Sequence, residues 1–114
     1  RVKYRELRAV GIDVDFDPVM DVNSNPQNPV IGDRAISGNP NVVASLGSQM
    51  ITEGQAQGVA AVAKHFPGHG DTTVDSHLAL PAVTKTWQEL WDVELVPFRA
   101  AVQANVSGIM TAHI

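Results

Sequence analysis

The sequence contains no cysteine, which excludes disulfides and thiolate metal sites. It has no apolar run near the roughly 18 residues of a membrane-spanning helix, so no such span is expected. It has no excess of positive charge. Lys plus Arg is 8 against 12 for Asp plus Glu, a formal charge of −4, and a nucleic-acid binder normally carries a basic face. A charged-then-apolar leader is also missing, and no internal repeat or low-complexity stretch is visible. What is present is a folding composition: 44% apolar and 18% charged residues place the chain with globular proteins rather than disordered ones. By length, 114 residues make one small domain. Yet the chain opens at Arg1 and stops at Ile114 directly after an apolar run, so it reads as a slice of a larger domain.

The hydrophobic pattern alternates between strand and helix. Residues 1–10 read as a helix end, stopped by Gly11. Ile12, Val14 and Phe16 alternate with Asp13, Asp15 and Asp17, a period of two that predicts a strand ended by Pro18. A polar loop of about twenty residues follows, a length usually tied to function. Asn39-Pro40 forms a helix start, with Val42, Val43, Leu46, Met50 and Ile51 at helical spacing and Gly54 and Gly58 marking the exit. Residues 59–66 (VAAVAKHF) suit a strand buried on both faces of a parallel sheet. A second long loop covers 67–85. Thr86 and Glu89 then make a capping-box pattern for a helix bearing Leu90, Leu95, Phe98 and Val102 and bent by Pro97. A last strand spans 106–112. Strands joined through helices imply a parallel α/β sheet. The polar residues cluster just after each strand: Asp17 and Asp21, Lys64 and His65, then His113. In a (β/α)₈ barrel that rim carries the chemistry. The expected fold is therefore α/β, a partial (β/α)₈ TIM barrel of about three β/α units.

The densest chemistry lies in KHFPGHGDTTVDSHLALP, residues 64–81, which holds three of the four histidines. In an extended loop Asp75 and His77 point the same way. Asp75 could then hold the His77 ring in one tautomer, making it a proton donor to a leaving oxygen and later a base toward water; the alternative is a surface ion pair. Lys64 and His65 end a buried strand, where a charge needs a partner; they could contact a polar ligand, or Lys64 could reach solvent. The glycines on either side of His69 allow sharp turning and suggest a loop able to move over a site, or an ordinary turn. Arg34 offers a planar fork of donors that could clamp a sugar hydroxyl pair or a carboxylate, or stay solvated.

Other signatures fail. Asp13-x-Asp15-x-Asp17 is followed by Pro18 and ends at Ser24, where a calcium loop needs Gly and Glu. HExxH, GxSxG and a phosphate-binding glycine fingerprint are absent. His65, His69, His77, His113, Asp71 and Asp75 could supply metal ligands, but Lys64 beside them would repel a cation, so no metal and no cofactor are expected.

KHFPGHGDTTVDSHLALP resembles the signature of bacterial family 3 glycoside hydrolases, in the branch that removes terminal β-N-acetylglucosamine. RELRAVGIDVDFDPVMDV, NPQNPVIGDRAIS and PFRAAVQANVSGIMTAHI are similar in the same order, so the resemblance spans essentially all 114 residues. It implies that residues 1–114 are the central part of a catalytic barrel domain. It also implies that Arg34, Lys64 and His65 hold hydroxyls of the sugar in the −1 subsite, that His77 is the general acid/base with Asp75 as its dyad partner, and that the stretch from about Gly68 to His77 carries the dyad in. The implied reaction is retaining hydrolysis of amino-sugar oligosaccharides derived from peptidoglycan. The nucleophilic Asp would lie on a later strand, and the aspartates at 13, 15, 17 and 21 sit at the wrong motif for it. A cytoplasmic location is expected. Two rival classes predict differently. A non-catalytic glycan-binding or structural module would bind sugar weakly without turnover, and a metal-dependent barrel hydrolase would lose activity to a chelator.

Overall fold

A computed structural model describes residues 1–73, 79 and 81–114. Asp75 and His77 lie outside the described residues. Among the described residues, the order is α1 (Val2–Ala9), β1 (Val14–Asp15), a 3₁₀ turn (Gly32–Arg34), α2 (Pro40–Ala56), β2 (Ala60–Phe66), α3 (Trp87–Asp92), α4 (Leu95–Gln103) and β3 (Gly108–Thr111). The strands form a parallel sheet in the order β1-β2-β3. Its helices α2 and α4 pack together and onto β2, as the strand–helix alternation requires.

The local signals act as the residue chemistry dictates. The Asn39 side chain accepts from the Asn41 amide at 2.9 Å, with Pro40 at the first helical position. Thr86 and Glu89 make the full capping box at the start of α3. Gly11 stops α1 with φ +83°, a conformation that suits glycine.

Four elements differ in detail. First, β1 does not end its pairing at Pro18. Proline lacks an N–H but keeps its carbonyl, and the Lys64 amide donates to it at 3.1 Å. Val19 then bridges to Lys64, and the Met20 amide donates to the Lys64 carbonyl at 2.6 Å.

Second, the expected helix from 86 onward is two helices. The break falls at Val93–Glu94, which places Pro97 in the first turn of α4, where an N–H has no intrahelical partner to lose.

Third, α2 buries Val43, Gly47, Ile51 and Gly54 and leaves Val42 and Leu46 exposed. Two of its buried positions are glycines, which carry no hydrophobic signal. A β-carbon on Gly47 would meet the Met20 sulfur, and one on Gly54 would meet the Tyr4 ring at 2.9 Å. Gly54 is therefore a packing position inside the helix, and Gly58, at φ +80°, lies past its end.

Fourth, β2 is covered on one face within this chain. Ala61 and Ala63 are fully buried, while Ala60, Val62 and Lys64 are half-buried. On β1 and just after it the more covered side chains are Asp15 and Asp17: Lys3 of α1 pairs with both, each at 2.7 Å. Alternation then turns Val14 and Phe16 to the opposite, exposed face. The core is Met20, Val22, Val43, Ile51, Ala61, Ala63, Phe98 and Ala101.

Candidate functional site

Parallel strands deliver their carboxyl ends to one side of the sheet. There the chain turns at 19–23 after β1, at 67–70 after β2, and at 112–113 after β3. The centre of this region is Asp21. Its carboxylate is completely buried and accepts from three directions. The His65 amide lies 3.2 Å from both oxygens, the His65 ring Nδ1 lies 2.7 Å from Oδ2, and the His69 amide lies 2.7 Å from Oδ1. A buried carboxylate is stable only when its oxygens are so occupied. The Lys64–His65 and Phe66–Pro67 peptides are both cis.

The long loop 21–39 is sewn to the start of the second loop by Asn28, itself buried. Its Nδ2 donates to the His69 carbonyl at 2.7 Å and to the Thr72 carbonyl at 2.9 Å. Its Oδ1 accepts from the amides of Val30 and Ile31 at 2.9 and 2.6 Å. The His69 ring is buried, with Nδ1 2.5 Å from Thr72 Oγ1. Gly68 takes φ +132°, and a β-carbon there would strike Glu94. Glu94 is buried and bonded to Lys85 at 2.5 Å, and Lys85 also reaches Asp71 at 2.9 Å. So the glycines around His69 serve close packing, and residues 68–72 are held by hydrogen bonds and an ion pair on several sides.

A cavity of about 230 Å³ opens beside this framework, lined by Val30, Arg34, His65, His69, Met110, Thr111, Ala112 and His113. Of the residues singled out by sequence, Arg34 and His65 meet in this cavity, His113 joins them, and Lys64 pairs in register with Met110, one of its walls. Arg34 is set at the end of the 3₁₀ turn, with Nη1 bonded to the Val30 carbonyl at 3.2 Å. Lys64 makes no ion pair with any described residue. No three His, Asp or Glu side chains among the described residues converge as a metal site would; Asp71 is engaged by Lys85 instead. Two further residues build the site. In the sequence Asp21 is visible only as a polar residue after a strand, at the wrong motif for the nucleophile. Asn28 gives no functional signal in the sequence: its Oδ1 partners are two and three residues on, as in any polar turn, and the carbonyls its Nδ2 reaches lie more than 40 positions away.

The chain is a parallel α/β unit with cationic and imidazole side chains gathered at the carboxyl ends of its strands, the side on which α/β folds bind their ligands. All 114 residues match the glycosyl hydrolase family 3 N terminal domain, and the chain belongs to that family. It is 50% identical over 111 residues to beta-hexosaminidase A of Pseudoalteromonas piscicida, covering 96% of this chain and 19% of that protein. It is 47% identical to the beta-hexosaminidase of Methylococcus capsulatus, covering 96% and 32%. Among solved structures, it is similar to the family 3 beta-N-acetylglucosaminidase of Paenibacillus sp. FPU-7, with TM-score 0.96, 50% identity and coverage of 98% of this chain and 21% of that one. It is also similar to NagZ of Neisseria gonorrhoeae in complex with N-trifluoroacetyl-D-glucosamine, with TM-score 0.91, 39% identity and coverage of 99% and 33%. The chain thus spans a third or less of the length of these relatives.

Proposed function

We propose that residues 1–114 are part of a (β/α)₈ barrel, and that the whole protein hydrolyses terminal, non-reducing N-acetyl-β-D-glucosamine from peptidoglycan-derived oligosaccharides with retention of configuration. The observation that carries this reading is the meeting of Arg34 and His65 in one cavity at the strand ends, in a chain whose relatives are named beta-hexosaminidase and beta-N-acetylglucosaminidase. Arg34, Lys64 and His65 hold hydroxyls of the sugar. His77, oriented by Asp75, gives its proton to the glycosidic oxygen as the C1–O bond breaks and a carboxylate from outside residues 1–114 bonds to C1. The neutral His77 ring then takes a proton from water. The water oxygen bonds to C1 and the carboxylate leaves. Retaining enzymes usually place two carboxyl groups about 5–5.5 Å apart; a histidine acid removes one of two like charges from that space.

The test is His77→Ala in the whole protein. General acid catalysis is worth roughly 10²–10⁴-fold, so turnover of sugars with poor leaving groups should fall by that order while activated aryl glycosides lose far less. Equal losses for both would overturn the assignment. A chelator should leave the activity unchanged.

A further inference from the structure

We propose that Asp21 is a positioning residue that fixes His65 in the tautomer with its proton on Nδ1, so that Nε2 accepts a hydrogen bond from a ligand hydroxyl in the cavity. This rests on the reading of His65 as a sugar contact and says what kind of contact it is. An ionised carboxylate can only accept, so the Nδ1 nitrogen 2.7 Å from Asp21 Oδ2 carries the hydrogen. The ring has little freedom to turn away, because the same carboxylate also holds the His65 main-chain amide. Through the His69 amide, at 2.7 Å, it further anchors the turn that forms the next wall of the cavity. His65 lines that cavity, and Nε2 is the ring nitrogen left for a ligand.

The neighbouring charged groups explain why an acceptor is needed there. Arg34 in the cavity lining, and Lys64 at the same strand end, can only donate. A hydroxyl that accepts from either cation still carries its own proton, and a buried donor left without an acceptor is costly. A neutral imidazole nitrogen supplies that acceptor. The set therefore favours a neutral polyhydroxyl ligand, which both donates and accepts, over a carboxylate, which would leave Nε2 facing a second acceptor.

The experiment uses the whole protein labelled with ¹⁵N-histidine. In the wild type, the His65 signals should report an Nδ1-protonated neutral ring. In Asp21→Asn the side-chain amide faces the ring and donates, so the proton should move to Nε2. KM for an N-acetylglucosaminide should then rise by roughly tenfold or more, as expected for loss of one hydrogen bond to a buried polar group. Among monodeoxy analogues of the substrate, the one lacking the hydroxyl that meets His65 should lose its binding penalty in the variant. A merely structural Asp21 would lower stability without moving the tautomer or this pattern. Turnover by a wild type whose His65 is Nε2-protonated overturns the assignment and leaves the proposed function standing. An Nδ1-protonated ring in a wild type that neither binds nor cleaves such sugars overturns the ligand assignment together with the proposed function. The wild-type spectrum decides the tautomer even if Asp21→Asn does not fold.

Discussion

A β-carbon added at Gly70 would lie 1.7 Å from the Val22 carbonyl oxygen and 2.5 Å from its carbon. Both are main-chain atoms beside the fully buried Asp21, so neither can yield without moving the site. Gly11 poses the opposite problem: nothing lies within 4 Å, and only its φ of +83° disfavours a side chain. The two substitutions to alanine should separate these effects. Gly11→Ala should cost about 1 kcal/mol, the price of a left-handed conformation. Gly70→Ala should cost about 3 kcal/mol or more, beyond the ordinary range for overpacking, and should weaken sugar binding as well. Urea unfolding midpoints and ligand titrations of both variants in the whole protein check this; equal effects would mean that the turn relaxes freely.

At the scale of elements, the break between α3 and α4 places Glu94 beneath the Gly68 turn, with Lys85 as its partner. Burial works against the Lys85 charge, but bonds to Glu94 and Asp71 outweigh it and raise the lysine above its ordinary value. A folded-state pKa raised in this way adds stability that is fully present at neutral pH. That stability fades as pH climbs past the usual lysine range and through the raised value. Lys85→Met should leave the buried Glu94 carboxylate uncompensated and destabilise by about 3–5 kcal/mol near neutrality. The gap from wild type should narrow in strongly alkaline solution, as unfolding midpoints across pH would reveal; a gap independent of pH would point to packing alone. Elements whose cause is local were readable in the sequence. Asn39-Pro40 and Thr86–Glu89 cap helices with atoms two or three residues away. The buried stripe of α2 was half hidden because Gly47 and Gly54 have no side chains to count. Arg34, Lys64 and His65 stand out in the sequence by chemistry and position, and Arg34 and His65 line one cavity; their roles as sugar contacts are what the resemblance implies. The roles of Asp21 and Asn28 are not legible, because the hydrogen bonds that define them join loops separated by α2 and β2.

For the molecule as a whole, the described strands leave β1 and β3 as edges, and apolar side chains stand uncovered on both sides of the sheet. Phe16 is 60% exposed and Val14 50%. Phe66, Trp87, Trp91, Phe98, Val102 and Ile109 line an apolar groove of about 420 Å³. Unpaired edges and apolar surface of this kind promote association. The 114-residue chain made by itself should therefore elute as oligomers or aggregates in size-exclusion chromatography with light scattering. A monomer that unfolds cooperatively would contradict this.

The amide of Asn28 has a consequence for how this architecture can vary. Its two ends fasten one loop to itself and to another, so the pair moves, and is exchanged, as a single piece. A chimera that transplants residues 21–39 from a relative without 67–73 would import half of a joint. Natural diversity of specificity in this rim should be sought as matched pairs of loop types rather than as independent assortment.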